Sequence, residues 1–146
     1  MSSLGFEGVI ERYGDTLDAF VRGDPGPTKK LWSRRDDVTL ANPLGAPVRG
    51  WADVEVVLDR SAAQVQDGEP LQFEVISNFA SADLGYVLWI ERTQLKIAED
   101  GFDAIRSIAL RVTTIFRREE DGWRIIHRHA DPITTARRVQ SIVTED

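Results

Sequence analysis

The sequence predicts one α+β domain in which helices cap a curved, antiparallel or mixed β-sheet. Three observations carry this. Residues 6–21 and 51–65 hold apolar stripes at helical spacing. Four segments rich in β-branched and aromatic residues follow one another from Leu71 to Ala130. Only turn-sized polar stretches separate those four, and strands without crossover helices between them pair antiparallel. Two long helices lying over such a sheet leave a concave space, the usual place for a small-molecule pocket.

In order, Phe6, Val9, Ile10, Tyr13, Leu17, Phe20 and Val21 form the first stripe, and Gly23 ends it. Asp24-Pro25-Gly26-Pro27 is a turn, and Pro27 suits the first turn of a short helix carrying Leu31 and Trp32. Val38 to Asn42 reads as a short strand closed by Pro43, and Leu44 to Gly50 as a loop. Trp51, Val54, Leu58, Ala62 and Val65 make the second stripe, stopped by Asp67-Gly68. The strands Leu71–Ala80, Tyr86–Ile97, Ile105–Arg118 and Trp123–Ala130 are joined by Ser81-Ala82-Asp83, Asp100-Gly101 and Glu120-Asp121-Gly122. Residues 1–146 read as one domain with a short tail from about residue 133.

Composition narrows the function classes. No apolar run approaches the roughly 18–20 residues of a membrane span. The N-terminus, Met1 to Glu7, lacks a basic region followed by an apolar one, so no secretory signal is expected. There is no cysteine, which removes disulfides, thiolate metal sites and cysteine nucleophiles and points to a reducing cytoplasm. A net charge of −6 disfavours nucleic acid as a partner. Arg34-Arg35, Arg117-Arg118 and Arg137-Arg138 are local basic spots with acidic neighbours, read as solvated charge.

Asn42-Pro43-Leu44-Gly45, followed by Val48-Arg49-Gly50-Trp51 opening a helix, resembles the first strand and loop of SnoaL-like proteins of the nuclear-transport-factor-two-like superfamily. Glu120-Asp121-Gly122-Trp123-Arg124-Ile125-Ile126-His127-Arg128-His129 is similar to their last hairpin and to the end of the association domain of calcium/calmodulin-dependent kinase. Arg22-Gly23-Asp24 after the first helix fits as well, and the resemblance spans roughly Phe6 to Pro132. It implies a cone fold with a central pocket. This fold hosts isomerases, dehydratases, cyclases, hydrolases and non-catalytic oligomerisation domains, so fold alone does not give function. By the same resemblance, Asn42 stands where ketosteroid isomerase has its catalytic aspartate, and asparagine cannot ionise to shuttle a proton. Thr113 or Thr114 stands where that family has a protonated aspartate. Tyr13 is similar to its oxyanion tyrosine, about one helical turn early.

Other candidates come from the residues themselves. Glu91 interrupts the apolar face of Val87, Trp89, Thr93 and Leu95, so it needs a partner or a raised pKa; it reads as a pocket acid or base, or as one half of an ion pair. The association domain has an arginine at the similar position, facing its pocket. Arg111 shares a face with Ala109, Thr113 and Ile115 and is either a clamp for a ligand carboxylate or the partner of Glu91. His127, His129 and Asp131 alternate on one face of the last strand, suited to proton exchange or, less well, to a metal. Whether they face the pocket depends on the turn at 120–122. A two-residue turn brings Arg128 in with Arg111 and Thr113, whereas a three-residue turn brings in His129 and Asp131. Trp32, Trp51 and Trp89 line either a cavity or the core.

The expected partner is a small organic molecule in the pocket, with neither cofactor nor metal required. Three functions remain open: acid/base catalysis at Glu91 and His129–Asp131 with Arg111 as electrostatic partner, ligand binding without a competent base, and oligomerisation. The last predicts a homodimer through an outward sheet face carrying Leu88, Ile90, Leu110, Val112 and Phe116.

Overall fold

The structure is a computed structural model that describes residues 5–144, apart from the side chains of residues 66, 98 and 99. Met1 to Leu4, expected to carry no secretory signal, and Glu145 and Asp146 at the end of the tail lie outside the described residues. Helix α1 (Phe6–Val21) buries Val9, Ile10, Tyr13, Leu17 and Val21, as its stripe requires. Helix α2 (Gly26–Lys29) is a single turn. It stops short of Leu31 and Trp32, which are buried instead in the segment that follows. Strand β1 (Thr39–Ala41) is joined by β2 (Val48–Arg49), a short antiparallel partner inside the stretch expected to be loop.

Gly50 starts helix α3 (Trp51–Ala63) at φ +90°, a conformation that side chains disfavour, while its N–H bonds the Val38 carbonyl at 2.8 Å. The helix ends before Val65 because β3 (Gln66–Ala80) begins almost at once. Asp67-Gly68 therefore does not close a helix but sits in an irregular start to the strand, with Asp67 at φ +50° and a register shift between Gln66 and Glu69. Strands β4 (Leu84–Glu99), β5 (Phe102–Glu119) and β6 (Gly122–Asp131) complete the sheet. Its order is β2-β1-β6-β5-β4-β3, with β1 parallel to β6 and every other pair antiparallel. The result is an open, mixed α+β cone, with α1 lying across β3 and β4. No helix among the described residues is long and apolar enough to cross a membrane.

Two hairpins and one bulge decide which side chains face inward. Asp100-Gly101 is a two-residue connection, so odd positions of β4 pair with even positions of β5: Val87 with Thr114, Trp89 with Val112, Glu91 with Leu110. Leu110, Val112 and Phe116 thus face the interior, not the outer face where a dimer contact was expected, and Val112 and Phe116 are core residues. Glu120-Asp121 is likewise a two-residue turn, pairing Phe116 with Ile125. A bulge then lets Ile115 pair with His127, so β6 carries one extra residue at Ile126. Trp123 and Ile125 point inward before the bulge, Arg128 and Ala130 after it.

Phe73, Trp89 and Tyr13 stack in succession, with ring centroids 5.0 and 5.3 Å apart. Phe6 meets Phe116 and Trp123 edge-on. Each such pair contributes about 0.5–1.5 kcal/mol beyond burial. The junction of α1, β3 and β4 is the tightest backbone approach. A Cβ on Gly68 would lie 2.6 Å from the Val21 carbonyl oxygen and 3.0 Å from that of Gln94. Neither backbone atom can swing aside, so Gly68→Ala is expected to destabilise the fold by about 1–3 kcal/mol. Urea unfolding checks this; a change within about 0.5 kcal/mol would mean the junction yields.

Candidate functional site

The inner face of β4 presents Val87, Trp89, Glu91, Thr93 and Leu95, all buried. A carboxylate on that face must be partnered to stay charged. Arg128 supplies the partner from β6, because the bulge turns it inward. Its Nη2 donates to Glu91 Oε1 at 3.0 Å and its Nη1 to Oε2 at 3.2 Å, a two-point fork. Trp89 Nε1 donates to the same Oε2 at 3.1 Å. Tyr13, on α1 one turn before Leu17, receives a hydrogen bond from Arg128 Nη1 and one from Thr114 Oγ1 at 3.3 Å. Glu91 and Arg128 are both nearly inaccessible, with side chains 7% and 13% exposed.

Electrostatics follow from this packing. Burial, reinforced by the Glu91 charge, holds the Tyr13 phenol above its usual pKa, against the pull of Arg128. Burial opposes the Arg128 charge, but Glu91 and Tyr13 outweigh it and hold the guanidinium pKa above its ordinary value. Tyr13, Glu91 and Arg128 form the polar floor of a cavity of about 260 Å³. Its walls come from α1 (Leu17, Phe20, Val21), from β1 and α3 (Leu40, Leu58), and from the sheet (Thr93, Leu95, Ile108, Leu110, Ala130). Asn42, Ser61 and Gln64 also line it, and Asn42 Nδ2 donates to Ser61 Oγ at 3.2 Å while its Oδ1 receives the Leu44 N–H.

Of the expected site residues, the structure brings together Glu91, Tyr13, Arg128 and Asn42. Trp89 lies behind Glu91 and orients it. The others are placed elsewhere. Arg111 pairs with Ile90 on the outer face and donates to Asp131 Oδ1 at 2.7 Å, so it neither clamps a pocket ligand nor meets Glu91. Thr113 shares that outer face; the inward threonine is Thr114. His129 is outside as well, 3.3 Å from Asp131. Burial opposes ionisation of Asp131, but the Arg111 hydrogen bond outweighs it and holds the carboxyl below its usual range. His127 Nδ1 lies 2.7 Å from Thr39 Oγ1 across the parallel β1–β6 pair. Burial, then the charge of His129, holds its imidazole below the usual pKa. The pairing expected from a three-residue turn, odd with odd, does arise at His129, through the bulge, yet those positions face outward because β5 turns its even positions in.

Trp51 is half-buried beneath the Arg34 guanidinium, 3.9 Å above its ring, and does not line the cavity. Trp32 is core and borders a separate, open groove between α1 and the β5–β6 hairpin. Of that groove's charged residues, Arg35 pairs with Glu119, Arg124 with Asp121, and Arg34 stacks on Trp51, whereas Arg12, Lys30 and Glu120 form no ion pair among the described residues. Among the described residues no three His, Asp or Glu side chains converge as a metal site. The sequence left Thr113 and Thr114 as alternatives and marked Leu17, Phe20 and Val21 of α1 only as an apolar stripe, not as cavity wall. The signal for Thr114 was present, since it is opposite Val87 once Asp100-Gly101 is taken as a two-residue turn.

A family model described as a SnoaL-like domain matches residues 9–134. A comparison with curated proteins gave no match. Among solved structures, a candidate calcium/calmodulin-dependent protein kinase type II association domain from Thiobacillus denitrificans is similar at 25% identity, with a TM-score of 0.68, covering 92% of this chain and 99% of its own. A candidate dehydratase of the NTF2-like family from Streptomyces avermitilis is similar at 20% identity and TM-score 0.70, over 88% and 99% of the two chains. A ketosteroid isomerase-like protein from Erwinia carotovora is similar at 19% identity and TM-score 0.62, over 88% and 94%.

The floor makes a quantitative prediction. Removing one member of a buried ion pair strands the other, at a cost of about 3–5 kcal/mol, whereas replacing both with apolar groups costs far less. Glu91→Leu and Arg128→Met are each expected to destabilise by about that amount, and the double variant by well under their sum. A double-mutant cycle in urea measures the coupling. Additive effects would show that the two side chains do not rely on each other.

Proposed function

The chain belongs to the SnoaL-like domain family, and from that premise we propose that it binds a compact, mostly apolar organic molecule in the cavity above the Glu91–Arg128 floor. The observation that carries this is the state of Glu91. Both its oxygens are engaged, one by two donors, so the carboxylate is a structural counterion and not a base held ready for a substrate. Among the described residues no other carboxylate or imidazole lines the cavity. Asn42, which the family resemblance places at a catalytic aspartate position, is engaged with Ser61 and cannot ionise. Binding without acid/base turnover is therefore favoured over the isomerase or dehydratase chemistry of some relatives. A cavity near 260 Å³ lies just below the range of drug-sized sites, about 300–1,000 Å³, which favours a small ligand of one or two fused rings.

A thermal-shift screen of small apolar compounds tests this. A ligand at one hundred times its Kd adds about 2.7 kcal/mol, or about 8 °C in a chain of this size. Leu110→Trp, which fills the cavity from its wall, is expected to abolish the shift. An equal shift in that variant would put the ligand elsewhere, and product formation from a bound compound would restore the catalytic reading.

A second observation supports homodimerisation. The outer sheet face carries Phe79, paired with Tyr86, and Tyr86 in turn pairs with Ile115; Phe79 is 65% exposed. Leu88 and Ile90 continue the same face. Isolated apolar residues need no explanation, but a contiguous patch points to a partner surface. Sedimentation is expected to give a dimer, and Phe79→Glu a monomer with unchanged ligand response. A monomeric parent protein would remove this reading.

A further inference from the structure

The inference that follows rests on the binding reading and concerns what the cavity selects. Eight polar side chains line it. Tyr13, Glu91 and Arg128 bond to one another at the floor. Thr28 bonds to Thr16, Asn42 to Ser61, and Gln64 to the Arg60 carbonyl. The eighth is Thr93. It sits on β4 on the same face as Glu91, two positions along and opposite Ile108, and is 6% exposed. Among the described residues its hydroxyl has no hydrogen-bond partner. The sealed, unpartnered side-chain atoms of the described residues are the indole nitrogens of Trp32 and Trp123. Thr93 Oγ1 is not one of them, so it keeps access to the cavity.

A hydroxyl is a donor and an acceptor at once, and on this wall no described protein group matches either capacity. Valine has the same shape and an equal or better strand preference. A threonine here, alone among the wall's polar groups without a partner, thus points to a partner that arrives with the ligand. Charge narrows that partner further. The floor contributes one negative and one positive group, each already paired with the other. An anionic ligand would be buried beside the Glu91 carboxylate, a cationic one beside Arg128, and neither would find an uncommitted counterion on the wall.

We propose that Thr93 is the contact that recognises the ligand, and that the ligand is uncharged, with a hydroxyl or carbonyl oxygen on an otherwise apolar ring frame. Calorimetry with 2-naphthol, 1-tetralone, naphthalene, 2-naphthoate and 2-naphthylmethylamine tests it, on the parent protein, Thr93→Val and Thr93→Ser. The two neutral oxygenated probes are expected to bind. Thr93→Val weakens them about fivefold, the value of one ordinary hydrogen bond, and leaves naphthalene unchanged or tighter. Thr93→Ser keeps their affinity within about twofold. The two charged probes bind at least about tenfold more weakly than the neutral ones. Ligand-free Thr93→Val is expected to melt no lower than the parent protein, because the hydroxyl it removes bonds no other protein group among the described residues. Equal affinity of the oxygenated probes for parent and Thr93→Val, charged probes that bind as tightly as neutral ones, or a lower melting point in Thr93→Val would each overturn the proposal while leaving the pocket reading intact. No binding by any probe to the parent protein would overturn the pocket reading itself, and this inference with it.

Discussion

A carboxylate and a guanidinium buried together inside an apolar cone constrain everything around them. Taken singly, either charge is intolerable at that depth; taken together, they need good geometry and donors for the remaining lone pairs. The Glu91–Arg128 fork meets this demand only because three other elements are in place. Helix α1 brings the Tyr13 hydroxyl to Arg128, β5 brings Thr114 to Tyr13, and the Phe73–Trp89–Tyr13 stack fixes the indole that donates to Glu91. Helix, sheet centre and last strand are thereby tied at one point. The apolar cavity above that point is the space the same elements leave when their large side chains converge on the floor.

The bulge at Ile126 decides what that floor is made of. Continued without it, the alternation that buries Trp123 and Ile125 would bury His127 and His129 as well. The pocket would then hold two imidazoles and no arginine, and Glu91 would lack its partner. One inserted residue exchanges those faces. The histidines go to the outer face, His127 beside Thr39 and His129 beside Asp131, where Arg111 of β5 already lies.

The cone itself says little about function, since solved structures of similar fold are described as a candidate dehydratase and a ketosteroid isomerase-like protein. The commitments of individual side chains say more. Glu91 is fully engaged, Asn42 cannot ionise, and the floor carries balanced charge. Thr93 stands apart as the wall's unmatched hydroxyl. The open groove near Trp32 has a larger volume and a charged lining, in which Arg35 pairs with Glu119 and Arg124 with Asp121.

The amino-acid sequence by itself determined the helix of residues 6–21, the start of the second at Trp51, the four long strands and their antiparallel order, because periodicity and turn chemistry are local properties. It also marked Glu91 as a group in need of a partner, since a carboxylate among Val87, Trp89 and Leu95 is anomalous wherever the strand goes. The two-residue Asp100-Gly101 turn carries the inward face of β5, yet Arg111 and Thr113 were expected where Leu110, Val112 and Thr114 lie. The identity of the Glu91 partner was not legible. It depends on the bulge, which arises from competition among Trp123 and Ile125 packing against the core, β1 pairing alongside β6, and Arg128 reaching Glu91. Those contacts join residues tens of positions apart, and only the tertiary structure weighs them against one another. For the same reason the parity of β6, the seclusion of His129 from the pocket, and the unmatched hydroxyl of Thr93 became visible only once the sheet had closed over α1.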